Sequence, residues 1–151
     1  MVVRPQAGRI VTVGLWDSPA VKGRCATRHL TWLGLFYGLP NSLIGLGFAL
    51  LSFALPRPRD GLLVAESNRG LAYWFLTRRG FGAITFGRVV ISAIPITPDL
   101  LVHESHHARQ YEVLGPFYLP VYLTLHARYG YQHNPLEQEA AACAAQDVQT
   151  A

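Results

Sequence analysis

Residues His103-Glu104-Ser105-His106-His107 set two histidines four positions apart, with a glutamate directly after the first. On a helix, positions i and i+4 share a face with their Cβ atoms about 5–6 Å apart. Two imidazoles so placed can hold one zinc ion, and the i+4 spacing leaves a full turn for the metal between the rings. Glu104 then sits beside the metal, where a carboxylate can take a proton from a metal-bound water. The competing reading of the same pentapeptide is a polar helix face whose histidines merely hydrogen-bond. The flanks favour a helix. Pro98-Asp99 reads as a start, and Leu100, Leu101, Val102, Val113 and Leu114 supply apolar positions. His106 points about 100° away from His107 and is not expected to be a ligand. Gln110, three residues after His107, is placed to support it.

A zinc site of this kind needs a third protein ligand and an open fourth position for water. An acidic residue on a following helix can supply the third. Asn134-Pro135-Leu136-Glu137-Gln138-Glu139-Ala140 opens an alanine-rich second helix. Together, HESHHARQ, LGP and NPLEQEA resemble the small bacterial zincin-like proteins with an HExxHxxQ helix and an NPxExEA helix. The order is also similar to the glutamate-zincin metallopeptidases, including the HtpX-type membrane proteases, whose third ligand lies in an ExxAD pattern. The resemblance covers roughly residues 83–145, with AITFGRVVIS upstream of the metal helix included. It implies that His103, His107 and Glu137 are zinc ligands and that Glu104 is the general base. The chain departs from the pattern at Ala141, which stands where the family has an aspartate that would orient a ligand.

Glu139 competes with Glu137 for the metal. The two are about 200° apart around a helix, so both cannot face it. With Asn134 as N-cap and Pro135 at the first helical position, Glu137 falls where a capping-box glutamate sits. Ligand and cap therefore both stand as roles for Glu137, the ligand favoured, while Glu139 reads as a solvated helix residue. Between the two metal segments lie His126, Tyr129, Tyr131 and His133, any of which can donate a hydrogen bond to a developing oxyanion.

The elements that must position these residues are unusually apolar. Half of the 151 residues are hydrophobic and 15% are charged, well below the usual quarter, which indicates a compact apolar domain or a membrane-associated one. The net charge is +4, with Arg4, Arg9, Lys22, Arg24 and Arg28 near the start. No aromatic platform, cysteine/histidine finger or long basic stripe accompanies these charges. Nucleic acid is therefore excluded as the expected partner, and anionic lipid headgroups fit better. Cys25 and Cys143 are isolated and read as free, buried, small side chains.

From Leu30 to Leu55 no charged residue occurs. Pro40-Asn41-Ser42 interrupts this run, with Asn41 and Ser42 as caps for a helix over about 42–55 that Pro56 stops. Three arrangements compete: a kinked transmembrane helix, a re-entrant hairpin, and a soluble core helix beneath the metal helix. Basic residues flank both ends, and Gly34 and Gly38 fit a close helix contact. The run starts too far from Met1 to read as a secretory signal. Beyond it the pattern turns to strands, at Gly61–Ala65, Leu71–Leu76 and Ala83–Ile91, with Thr77-Arg78-Arg79-Gly80 as a turn and Gly8–Val13 as a further short strand. An antiparallel meander is the economical topology. Leu114-Gly115-Pro116 ends one helix and begins another apolar one through His126.

The expected whole is an α+β, minimal zincin-like domain: a short antiparallel sheet, the HExxH helix and a following helix carrying a glutamate ligand. Residues 1–29 form a weakly structured basic extension, 30–56 an apolar helical segment, and 57–151 the metal-binding domain. The expected cofactor is zinc, the expected reaction peptide-bond hydrolysis, and the expected partners a peptide or protein substrate and membrane lipid. Membrane association is favoured over a cytoplasmic location. The alternative is a non-catalytic, metal-stabilised membrane or scaffold protein.

Overall fold

The computed structural model describes residues 32–150. The chain runs through α1 (Trp32–Leu51), β1 (Arg57–Arg59), β2 (Leu62–Glu66), α2 (Gly70–Arg79), β3 (Ala83–Phe86), β4 (Val89–Ser92), α3 (Pro98–Leu114), a 3-10 turn at Gly115–Phe117, α4 (Tyr118–Tyr129) and α5 (Pro135–Thr150). The architecture is α+β, a small mixed sheet packed among helices, with the apolar helix α1 leading. The proposed Gly8–Val13 strand, Cys25 and the basic extension lie outside the described residues.

Strand order is β1-β2-β4-β3. β1–β2 and β3–β4 pair antiparallel, but β2 and β4 run parallel, with Val64 opposite Val90. This corrects the expected antiparallel sheet, and the reason lies in two segments. The aromatic run Leu71–Leu76 is a helix, not a strand: Ala72, Phe75 and Leu76 face the core at i, i+3 and i+4, and Gly80 closes α2 in the left-handed region at φ 74°. That helix supplies the crossover that parallel strands require. Ala83–Ile91 in turn is two strands, because Gly87 at φ 59° turns the chain back on itself.

The period of two along β4 sorts its residues between two cores. Val89 and Ile91 pack with Ala49, Ala65, Ala72 and Leu76 beneath α1 and α2. Val90 packs with Leu62, Val64, Leu101 and Ala108 beneath α3. The sheet is thus covered on both faces, and α3 lies on the face opposite α2.

α1 is one continuous helix through Pro40, which corrects the expected break at Pro40-Asn41-Ser42. Pro40 is exposed, and the polar pair after it is spent on tertiary contacts instead of capping. Buried Asn41 donates Nδ2–H to the Gly115 carbonyl at 3.0 Å. Ser42 Oγ donates to the Gly38 carbonyl and accepts the Arg88 N–H. The helix ends at Leu51, four residues earlier than expected, with Phe53 at φ 54°.

Fully buried Ser52 ties this end to α2. Its hydroxyl accepts the Ala72 N–H at 2.7 Å and donates to the Phe48 carbonyl at 2.8 Å. Ser52→Ala leaves the Ala72 N–H without a partner and lowers unfolding stability by about 1–3 kcal/mol, read as a shift in the denaturant midpoint at constant slope. Cys143 is buried and disulfide-bonded, which corrects its expected free state.

Candidate metal centre

Thr97 caps α3, its hydroxyl accepting the Leu100 N–H, with Pro98 at the first position and Asp99 in the first turn beside the positive end of the helix dipole. An ordinary helix facing a core would bury apolar residues at the spacing that follows. Here Glu104, His107 and Gln110 are buried alongside Leu101, Ala108 and Tyr111. A buried polar stripe is costly unless each member is satisfied, so the partners of these side chains decide what the stripe is for.

α5 packs across α3 and carries the complement. Asn134 is its N-cap, with Oδ1 accepting the Leu136 N–H at 3.1 Å and Pro135 at the first position. Glu137 does not cap. Its carboxylate turns inward, with Oε2 3.4 Å from His103 Nε2 and 3.5 Å from His107 Nε2. The two Nε2 atoms are themselves 3.1 Å apart, their rings nearly perpendicular at 84°. One ligand atom from each of these three residues thus closes a small triangle. A tetrahedral ion at zinc–nitrogen and zinc–oxygen distances spans an edge of about 3.3 Å between ligands. Edges of 3.1, 3.4 and 3.5 Å fit one face of that tetrahedron.

The surrounding hydrogen bonds fix which atoms face the triangle. Gln110 Nε2 lies 3.0 Å from both the Leu136 carbonyl and Glu139 Oε2, two groups that only accept. The amide is thereby oriented, and its Oε1 faces His107 Nδ1 at 2.9 Å. His107 must then carry its proton on Nδ1, leaving the Nε2 lone pair for the metal position. Tyr118 OH closes the same network, 3.0 Å from His107 Nδ1 and 3.3 Å from Gln110 Oε1. Glu139 is therefore held against Gln110, which corrects its reading as a solvated residue. Gln110→Ala frees the His107 ring; if the triangle holds zinc, the variant is expected to bind it about 10–100-fold more weakly in a chelator competition, with the fold retained by circular dichroism.

Tyr122 donates to Glu137 Oε1 at 2.6 Å, so Oε2 is the oxygen that faces the histidines. The Tyr122 phenol thereby orients the Glu137 carboxylate, while Ala141 is exposed. Burial opposes the charged form of Glu137, yet the imidazoles of His103 and His107 and the Tyr122 hydroxyl hold its carboxyl well below the usual range. Burial likewise opposes protonation of His107, and Glu137 and Glu104 outweigh it, raising its proton affinity. Tyr118, Tyr122 and Tyr131 are pushed well above the ordinary phenol range, by burial first and then by neighbouring charge, so they are donors throughout the working pH.

Glu104 is buried, and its Oε2 accepts a 2.6 Å hydrogen bond from Thr85 on β3. This fixes one carboxylate oxygen and leaves the other for a proton. Among the residues singled out from the sequence, His103, His107 and Glu137 converge, and Glu104 stands beside them on the same helix. His133 and Tyr129 are exposed, while His126 stacks on Tyr122 and meets Tyr131 edge to face. Thr85, Tyr118 and Tyr122 were not anticipated. Tyr118 and Tyr122 repeat the i, i+4 spacing of the histidines, a signal that was present in the sequence; Thr85 carries none. Comparison of the chain with protein-family models, curated proteins and solved structures finds no match.

Proposed function

We propose that the chain is a zinc-dependent metallopeptidase of the glutamate-zincin kind, its metal held by His103, His107 and Glu137. The observation that carries this reading is the near-equilateral triangle of ligand atoms, with buried Glu104 one residue from the first ligand. A zinc ion bound there supplies Lewis acidity, polarising a carbonyl and making water acidic.

The chain's own residues do the rest. Glu104, with Oε2 anchored by Thr85, accepts a proton from the attacking water and returns it to the leaving amine. Tyr131, whose hydroxyl bonds to Glu137, is the donor that would turn to charge developing on the substrate oxygen. β3 is an edge strand of the sheet and carries Thr85, so an extended peptide pairing along it is brought beside Glu104.

A purely structural metal holds four protein ligands. Among the described residues the cluster supplies three, which favours a site with a position left for substrate. The test is the zinc-loaded protein incubated with a mixed peptide library and read by mass spectrometry. New termini that vanish with chelator and return with zinc are expected. Full zinc occupancy with no cleavage in any condition would leave the structural role.

A further inference from the structure

We propose that α1 lies in the plane of an anionic lipid bilayer, its outward face in the acyl chains and the metal-site domain on the aqueous side. The inference rests on the surface of α1 and is independent of any metal chemistry.

The helix turns most of its large apolar residues outward. Its buried positions, Gly34, Gly38, Asn41, Gly45 and Ala49, recur at spacings of three and four and are all small or polar, and only near its C-terminal end do half-buried Leu46 and Phe48 pack against the core. Its outward positions include Trp32, Phe36, Leu43, Ile44, Leu50 and Leu51, each more than half exposed, with Trp32 at 86%. A helix of a water-soluble domain turns its large apolar residues inward. Small residues at the packing face with large ones outside is the pattern of helices bathed in lipid. At two of these positions close packing requires glycine: a Cβ on Gly34 would lie 2.6 Å from Glu112 Oε2, and one on Gly45 would lie 2.8 Å from Phe86 Cβ. The apolar surface continues past the helix through Phe53 and Leu55, both 77% exposed. Contiguous apolar surface of this extent marks a site that another apolar phase covers.

Charge identifies that phase. From Ser52 to Gly82 the chain carries Arg57, Arg59, Arg69, Arg78 and Arg79 against Asp60 and Glu66. Arg78 lies over the exposed Trp74 ring at 5.6 Å, an aromatic and a cation paired at the surface, as residues of a membrane interface are. With a net charge of +4, two copies repel each other, whereas anionic headgroups attract the chain.

Packing along α1 sets its orientation. The stretch Gly34–Leu51 is long and apolar enough to cross a membrane. The domain nevertheless accompanies it from end to end: Glu112 at Gly34, the Gly115 carbonyl at Asn41, the Arg88 N–H at Ser42, Ala72 at Ser52. A crossing would draw the Arg88–Glu112 ion pair into hydrocarbon. An in-plane helix keeps that pair in water and still buries the outward face.

The test uses the full chain with Trp16→Phe and Trp74→Phe, leaving Trp32 as the fluorophore, on vesicles of phosphatidylcholine alone or equimolar with phosphatidylglycerol. Two further versions replace Trp32 by Phe and place the single tryptophan by Leu43→Trp or Leu51→Trp. With lipids brominated at graded depths, all three positions are expected to be quenched most by shallow bromines. Binding is expected to be about tenfold stronger on the anionic vesicles. Leu43→Gln, Ile44→Gln and Leu51→Gln together, all at exposed positions, are expected to weaken binding by more than about a hundredfold with an unchanged circular dichroism spectrum. Deep quenching at position 43 with shallow quenching at 32 and 51 would indicate a crossing and overturn the in-plane arrangement. Absence of quenching at all three, whether the face is covered by a second copy or by the segment before Trp32, would overturn the lipid proposal.

Discussion

On the proposed reaction, Glu104→Gln is expected to lower the rate of peptide hydrolysis by about 10²–10⁴-fold while zinc content stays at the wild-type level. The substitution keeps the shape of the side chain and removes its ability to hold a proton. Thr85 still has an oxygen to donate to, so the 2.6 Å contact that anchors position 104 to β3 survives. None of the three ligand atoms belongs to Glu104, and the triangle between His103, His107 and Glu137 is left intact. The loss falls on kcat and kcat/KM together, as for a group that acts only in the transition state. Elemental analysis beside steady-state rates separates the outcomes. Wild-type rates would remove Glu104 from the reaction, and parallel loss of zinc and rate would make it a structural member of the site.

The helix that carries His103 and His107, and their meeting with Glu137, were legible because their pattern is local. His103, Glu104 and His107 are fixed relative to one another by helix geometry alone, and the Asn134-Pro135 start sets the phase of Glu137 on α5. What was illegible depends on contacts between distant segments. Whether Glu137 caps its helix or faces the histidines is decided by how α5 lies across α3, and Tyr122 then orders its carboxylate. The strand-like run at Leu71–Leu76 is aromatic enough to suit either state, and the burial of Ala72 and Leu76 against Ala49 and Ile91 selects the helix. With that helix between β2 and β3, the sheet becomes mixed. Pro40 misled for a related reason: an exposed proline is tolerated within α1 because Asn41 and Ser42 anchor the following turn to Gly115 and Arg88. Thr85 sits in an ordinary alternating strand, and only the crossing of β3 under α3 brings it to Glu104.

His107→Ala and Glu137→Gln each lower zinc affinity by about 10²–10³-fold or more, the share of one ligand in a binding free energy of about 10–16 kcal/mol. Wild-type protein is expected to hold about one zinc per chain, and both variants to lose it on dialysis. The pH dependence carries a sharper signature, because proton and metal compete for the same Nε2. In the metal-free protein, Glu137 and Glu104 overcome burial and raise the proton affinity of His107. A raised histidine stabilises the fold below its ordinary titration range, and that contribution disappears as pH rises through the raised value. Glu137 is shifted the other way, so its contribution is present above the ordinary carboxylate range and is lost only in strong acid. The stabilising contribution of this pair is therefore greatest between those ranges, where a charged His107 faces a charged Glu137. Zinc requires the opposite state of His107, so its stabilising effect grows as pH rises through the raised histidine value. Thermal unfolding with and without zinc across that range checks this directly. Glu137→Gln removes the largest attraction holding the proton on His107 and flattens the metal-free profile on its alkaline side. A zinc-induced gain that is constant with pH, or that persists undiminished in His107→Ala, would place the ion elsewhere on the protein.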